Sequence, residues 1–149
     1  MSAEDFIRVA LAEARAGLVA GEVPVGAVVV VGGVLVGPAH NAPIGLLDPS
    51  AHAEVLALRE AARKLGNYRM PDATLFATLE PCAMCCGAVI QARLARVVYG
   101  APDPRAGAIE SVYRLLDDPR VNHRVEAQGG VLADECTALL REFFETKRR

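Results

Sequence analysis

The sequence predicts an α/β domain, a sheet with helices packed on its faces. Three observations point there. After an opening hairpin, short β-branched runs alternate with helical stretches, the order that builds layered α/β or α+β domains. Hydrophobic residues make up 52% of the 149, ample for a buried core. No repeat, low-complexity tract or linker interrupts the chain, so residues 1–149 read as one domain.

Each element has its own signal. Phe6, Val9, Ala10, Ala14 and Leu18 recur at helical spacing and predict a helix over 3–20, stopped at Gly21. Val25 to Val31 and Val34-Leu35-Val36 flank Gly32-Gly33, which reads as a tight hairpin. Ala53 to Leu65 is rich in Ala, Leu, Glu and Arg and ends at Gly66-Asn67, a helix with its stop. Ala73 to Leu79 reads as a strand. Cys82 to Leu94 reads as a helix with Pro81 in its first turn, where a missing N–H costs nothing. Arg96 to Tyr99 is a short buried strand. Residues 101–110 hold Pro102, Asp103, Pro104 and Gly107 and read as a loop. Asp134 to Lys147 is a closing helix that carries Phe143 and Phe144.

Composition excludes several classes. Charged residues are 23%, near the globular average, which argues against disorder. The net charge of −2 argues against whole-surface adhesion to nucleic acid, though not against a local basic patch. No apolar run reaches the ~18–20 residues of a membrane-spanning helix. The opening Met1-Ser2-Ala3-Glu4-Asp5 is acidic where a secretory signal would be basic, so a cytoplasmic location is expected. Three of four cysteines, Cys82, Cys85 and Cys86, fall within five positions, which suits a metal or redox role in a reducing compartment. Cys136 reads as a small buried hydrophobe, and so does Cys86.

Two segments carry chemistry: His52-Ala53-Glu54 and Pro81-Cys82-Ala83-Met84-Cys85, each at an expected helix start. Cys82 and Cys85 are i and i+3, on one helical face. The positive pole of a helix N-terminus favours thiolate. Two thiolates and a neutral imidazole suit Zn²⁺ and cancel its charge. Three protein ligands, His52, Cys82 and Cys85, leave the fourth tetrahedral position open, the mark of a catalytic zinc. Water there is acidified to a pKa of about 7. Glu54, not needed as a ligand, can move its proton to a leaving nitrogen. That is what hydrolytic deamination requires. A redox Cys-x-x-Cys has no need of the His-x-Glu. A structural zinc needs a fourth protein ligand, from Cys86 or His40, and Cys86 points roughly 100° around the helix from Cys85.

The pattern H-x-E…P-C-x-x-C is that of the zinc deaminases. The chain resembles the bacterial tRNA-specific adenosine deaminases of the cytidine-deaminase-like superfamily over nearly its whole length. The likeness includes Glu22-Val23-Pro24-Val25-Gly26-Ala27, His40-Asn41, Asp48-Pro49-Ser50-Ala51-His52-Ala53-Glu54, Asn67-Tyr68-Arg69, Thr78-Leu79-Glu80-Pro81-Cys82-Ala83-Met84-Cys85, Asn122-His123-Arg124-Val125 and Leu132-Ala133-Asp134-Glu135-Cys136. The resemblance implies a three-layer α/β/α fold with a central five-stranded mixed sheet, a homodimer, and one Zn²⁺ per subunit. It implies hydrolysis of adenosine to inosine at the wobble position of a tRNA anticodon. By the same likeness Asn41 contacts the base or its ribose, the alternative being a turn residue. The Ala53 amide is a second candidate donor to the base.

An anticodon stem-loop offers splayed bases, so positive charge is expected around the pocket. Candidates are Arg69, Arg105, Arg124, Lys147, Arg148 and Arg149, each of which reads equally as a solvated side chain. Phe144 or Phe143 can stack on a base, but neighbours in a helix diverge, so one of them packs in the core. Asp103 matches a position near the substrate nucleotide and also reads as a turn residue between prolines. The chain departs from the family at Ser50, at Cys86 and at Ile109-Glu110, where an extra carboxylate opposes phosphate binding unless it points away. Two rival readings remain: a guanine, cytosine or free-nucleoside deaminase with the same metal and Glu, and a non-catalytic subunit, against which Glu54 argues.

Overall fold

The computed structural model describes residues 1–147. Ala3–Val19 forms α1, opened by a reciprocal cap in which Ser2 Oγ accepts from Asp5 N–H and the Asp5 carboxylate accepts from Ser2 N–H. Gly26–Val31 (β1) and Val34–His40 (β2) form the hairpin expected around Gly32-Gly33. Both glycines sit at positive φ, 56° and 78°, as a two-residue turn between twisted strands demands. β2 runs four residues past the predicted Val36, and the short helix Pro43–Leu46 (α2) follows. Ala53–Leu65 (α3) and Ala73–Leu79 (β3) have the predicted bounds.

The next helix, Ala83–Gln91 (α4), differs from its prediction at both ends. Cys82 is its N-cap with extended backbone, so Pro81 lies before the helix and not in its first turn. It ends three residues early because Arg93 turns left-handed at φ 59°. Arg96–Ala101 (β4), Glu126–Gln128 (β5) and Ala133–Lys147 (α5) complete the order.

The five strands lie in the order β2-β1-β3-β4-β5. β1 is antiparallel to β2 and β3, while β3, β4 and β5 run parallel, giving the mixed five-stranded sheet that the resemblance implied. Side-chain alternation splits the core into two layers. Ala27, Val29, Leu75, Ala77 and Val97 pack against Ala57, Leu58, Ala61 and Val89 of α3 and α4. Val28, Val30, Phe76 and Val98 pack against Phe6, Ile7 and Leu11 of α1 and Cys136 and Leu139 of α5. The central strands are thus apolar on both faces, as a sheet covered on both sides requires. No helix among the described residues is long and apolar enough to cross a membrane.

This architecture fixes where chemistry sits. β3 ends at Leu79 and feeds α4 through Glu80-Pro81-Cys82, and α3 starts at the same edge. The N-termini of α3 and α4 therefore meet at the C-terminal end of the parallel strands, where open α/β sheets build their sites.

Candidate metal centre and active site

His52 is the N-cap of α3 and Cys82 the N-cap of α4, both with extended backbone. Neither side chain caps its own helix, so both are free for another partner. Cys85 follows in the first turn of α4, buried. Cys82 Sγ and Cys85 Sγ each lie 3.5 Å from His52 Nδ1 and 3.7 Å from one another. Tetrahedral zinc with Zn–S of about 2.3 Å and Zn–N of about 2.05 Å sets S···S near ~3.8 Å and S···N near ~3.6 Å. The three donors already hold the spacing of three corners of that tetrahedron. Among the described residues no other group of histidine, cysteine or acidic side chains is arranged to hold a metal ion.

The electrostatics agree. A hydrogen bond from the Cys85 thiol, outweighing the effect of burial and helped by His52, pulls the Cys82 thiol down to about 3. Cys85, as the donor to that thiolate and buried as well, is pushed up instead. Its proton is the one a metal ion would displace. The hydrogen bond with Cys82 raises His52, against burial. Glu54 is 4% exposed, and its Oε1 is buried with no hydrogen-bond partner among the described residues. Burial drives its pKa up. A buried carboxylate oxygen without a partner is costly and rare. Glu54 stands in the first turn of α3, two positions after His52. Cys86 points elsewhere, its thiol directed to the Pro81 carbonyl at 3.7 Å. Burial pushes it up to about 12.

The other predicted residues separate into groups. Asn41 stands just past β2, and its Oδ1 accepts from the Ala53 N–H at 2.7 Å. This corrects the reading of Ala53: its amide is spent on Asn41, because the first N–H groups of a helix need an acceptor and this one has it inside the protein. Asp103 makes a turn, its Oδ1 accepting from the N–H groups of Arg105 and Ala106. Asp103, Arg105 and Phe144 line one cleft of about 620 Å³ with Leu79 and Pro102. Phe143 is buried and Phe144 exposed, with their rings edge to face at 5.2 Å. Lys147 Nζ lies 5.6 Å from the Phe143 ring.

Arg69 is not at the site in this chain. It lies between the end of α3 and the start of β3, exposed and over the Tyr68 ring at 5.6 Å. The seven residues of β3, roughly 20 Å, separate that end of the sheet from Cys82. Arg124 lines a different cavity, of about 850 Å³, with Tyr99 and Glu110. The Glu110 carboxylate is turned there, accepting from Tyr99 Oη, and away from the metal donors. Arg148 and Arg149 lie outside the described residues.

Residue-by-residue reading missed two buried acids. Glu22 accepts from the N–H groups of Ile44 and Gly45, at 3.1 and 2.7 Å, and so holds the first turn of α2, which follows Asn41. Glu80, 2% exposed, accepts from the N–H groups of Asp103, Ile109, Glu110 and Ser111 and from Ser111 Oγ. Burial alone would raise its pKa, but these donors outweigh it and hold the carboxyl below its usual range. The available signal was a charge closing an apolar strand directly before a metal-ligand motif, since a buried charge must have partners.

The comparisons agree with this geometry. The family model for MafB19-like deaminases matches residues 1–148. A tRNA-specific adenosine deaminase of Haemophilus influenzae is 44% identical over 146 residues, covering 97% of this chain and 84% of that protein. The chain belongs to the tRNA-specific adenosine deaminases. Among solved structures, a tRNA:A34 deaminase studied in A-to-I editing at the wobble position superposes with a TM-score of 0.88 at 40% identity, covering 91% of this chain and 98% of that one. A guanine deaminase from Nitrosomonas europaea has the same fold at 28% identity and a TM-score of 0.78, covering 94% of this chain and 83% of that one. This family therefore shares its fold with a guanine deaminase.

Proposed function

We propose that this chain hydrolyses adenosine to inosine at the wobble position of a tRNA anticodon, with one zinc ion held by His52, Cys82 and Cys85. The observation that carries the reading is the three-donor cluster at tetrahedral spacing beside the unpartnered Oε1 of Glu54. The tRNA substrate is supported by relatives of that activity at 40–44% identity, against 28% for the guanine deaminase. The reading takes residues 1–149 as one deaminase domain, working as a cytoplasmic homodimer.

Zinc held by His52, Cys82 and Cys85 would supply a Lewis acid able to acidify water. The net reaction adds water at C6 of the adenine and releases ammonia. Glu54 accepts the proton of the attacking water and delivers it to the departing amino nitrogen. Its burial suits both halves of that task, because a raised pKa lets one carboxyl both take up and release a proton. Asn41, anchored through Oδ1, keeps its amide N–H₂ for the base or ribose. The cleft with Asp103, Arg105 and Phe144 takes a neighbouring nucleotide, Phe144 offering an exposed ring for stacking. Arg69, exposed beyond the start of β3, remains a candidate for RNA contact away from the reacting base.

The deciding experiment is incubation of the zinc-loaded protein with an anticodon stem-loop carrying adenosine at the wobble site, followed by nucleoside analysis. Inosine is expected, formed far faster than from free adenosine, and with no comparable turnover of guanine or cytosine. Comparable rates on free bases would replace this reading by a free-base deaminase. Light scattering at twice the chain mass tests the dimer.

A further inference from the structure

Glu80 is acidic, nearly fully buried and two residues from a metal ligand, yet it does not join the metal donors. Its carboxylate faces the other way, into the loop between β4 and β5. Oε1 accepts from Asp103 N–H at 3.0 Å and from Ser111 Oγ. Oε2 accepts from three successive N–H groups, those of Ile109, Glu110 and Ser111, at 3.0, 2.8 and 3.1 Å. The loop is wrapped so closely that a Cβ on Gly107 would fall 2.2 Å from the Glu80 carboxyl carbon. Backbone contacts finish the seam. Ala108 N–H donates to the Pro81 carbonyl at 2.9 Å, Glu80 N–H donates to the Ala101 carbonyl at 2.8 Å, and Cys82 pairs with Gly107.

One side chain therefore gathers both ends of a nine-residue loop and ties them to the segment that carries Cys82. Asp103 and Arg105, which line the cleft with Phe144, lie inside that loop. We propose that Glu80 is a positioning residue for the RNA substrate: it fixes Asp103 and Arg105 in place relative to the metal centre, and so sets the binding of the nucleotide beside the reacting base. This rests on the tRNA reading above. It predicts a split between binding and chemistry, because the Glu80 side chain holds the cleft wall, while Glu54, His52 and Cys85 stand on α3 and α4 and Cys82 keeps its own backbone bridge to Gly107.

Glu80→Gln tests it with almost no change of shape. A carboxylate accepts on both oxygens, whereas an amide accepts on one and donates on the other. With its NH₂ in place of Oε1, the amide faces the Asp103 N–H, donor against donor. In the flipped orientation three N–H groups are orphaned, so the first is preferred. The loss then falls on Asp103, the residue at the cleft. Kinetics on the wobble-adenosine stem-loop are compared for the wild type, Glu80→Gln and Ser111→Ala, which removes one donor and no backbone. We expect KM to rise about tenfold in Glu80→Gln and about threefold in Ser111→Ala, with kcat within threefold of wild type and one zinc per chain in each. Amide hydrogen exchange at Asp103 should accelerate in Glu80→Gln while the β3 amides keep their protection. An unchanged KM in folded Glu80→Gln, or a fall in kcat with KM unchanged, overturns the proposal. If Glu80→Gln does not fold, Ser111→Ala decides alone, and an unchanged KM overturns it. A wild type that makes no inosine from the stem-loop refutes the tRNA reading instead, and that result is separate from any ratio between variants.

Discussion

Glu54→Gln separates the chemistry of the site from its construction. The substitution keeps side-chain volume and removes charge and proton-carrying capacity. In the wild type one carboxylate oxygen is buried with no partner among the described residues, and an unsatisfied buried polar group costs about 1–3 kcal/mol, more when charged. Replacing the charged group by a neutral amide relieves the excess, so stability should rise by on the order of 1 kcal/mol. At ~2.1 cal/mol/K per residue, 149 residues give about 0.3 kcal/mol/K, so the unfolding midpoint should rise by about 3 °C. Losing the general acid/base should lower turnover by about 10²–10⁴-fold. Zinc content should stay at one per chain, because His52, Cys82 and Cys85 all remain, their donor atoms 3.5–3.7 Å apart, and an amide at position 54 can still accept from the Cys85 thiol. The assay combines metal analysis, thermal unfolding and inosine formation on one preparation. Turnover within tenfold of wild type would refute the proton-carrying role. A drop in stability would show that the carboxylate is anchored rather than poised.

Three further outcomes follow from the same structure. Metal analysis of protein purified with zinc should give about one ion per chain, and Cys85→Ala should lose it; chelation should lower stability by about 2.7 kcal/mol if zinc stands at a hundred times its dissociation constant. Gly107→Ala should destabilise by about 1–3 kcal/mol, because the new methyl meets a carboxyl pinned by five hydrogen bonds that cannot yield; an unchanged unfolding midpoint would contradict the close approach of loop and Glu80. Asp5 is held below its ordinary value of 3.8 by hydrogen bonds from the Ser2 N–H and hydroxyl, against burial. Its stabilisation is therefore complete above pH 3.8 and fades as pH falls through the lowered value, so Asp5→Asn should be less stable than wild type at pH 7 by a margin that shrinks in acid.

The elements legible in the sequence are those whose side chains alone carry the signal. β1, α3 and β3 are patterned by burial, and their bounds follow from it. β5 is not: Glu126-Ala127-Gln128 is exposed throughout and pairs with Arg96–Val98 through its backbone, so no hydrophobic alternation marks it. The fifth strand was reachable only through family likeness. The metal donors were legible because helix starts are punctuated by proline and by the His-x-Glu and Cys-x-x-Cys spacings. Glu80 was not, since four of its five donors are backbone N–H groups, which any sequence supplies. Arg69 lies before β3, at the opposite end of that strand from Cys82, a placement that its sequence neighbourhood alone does not give.

The same topology bears on how the Glu54 carboxyl can be buried at this edge of the sheet. With zinc bound as proposed, two thiolates and the ion would sum to no net charge, leaving Glu54 as the local excess. Yet α3 and α4 both begin here, with His52 and Cys82 as their caps, and each helix N-terminus contributes the equivalent of about half a positive charge. Together they offset part of the carboxylate's charge, its burial still raising its pKa, and Glu54 sits in the first turn of α3, where that pole acts. The topology supplies this without any further cationic side chain: the parallel strands end at one edge, and a helix that follows a strand must start where the strand stops. On the proposed function, moving the carboxylate one turn along α3 would take it away from both the three donors and the helix pole that lowers the cost of burying it.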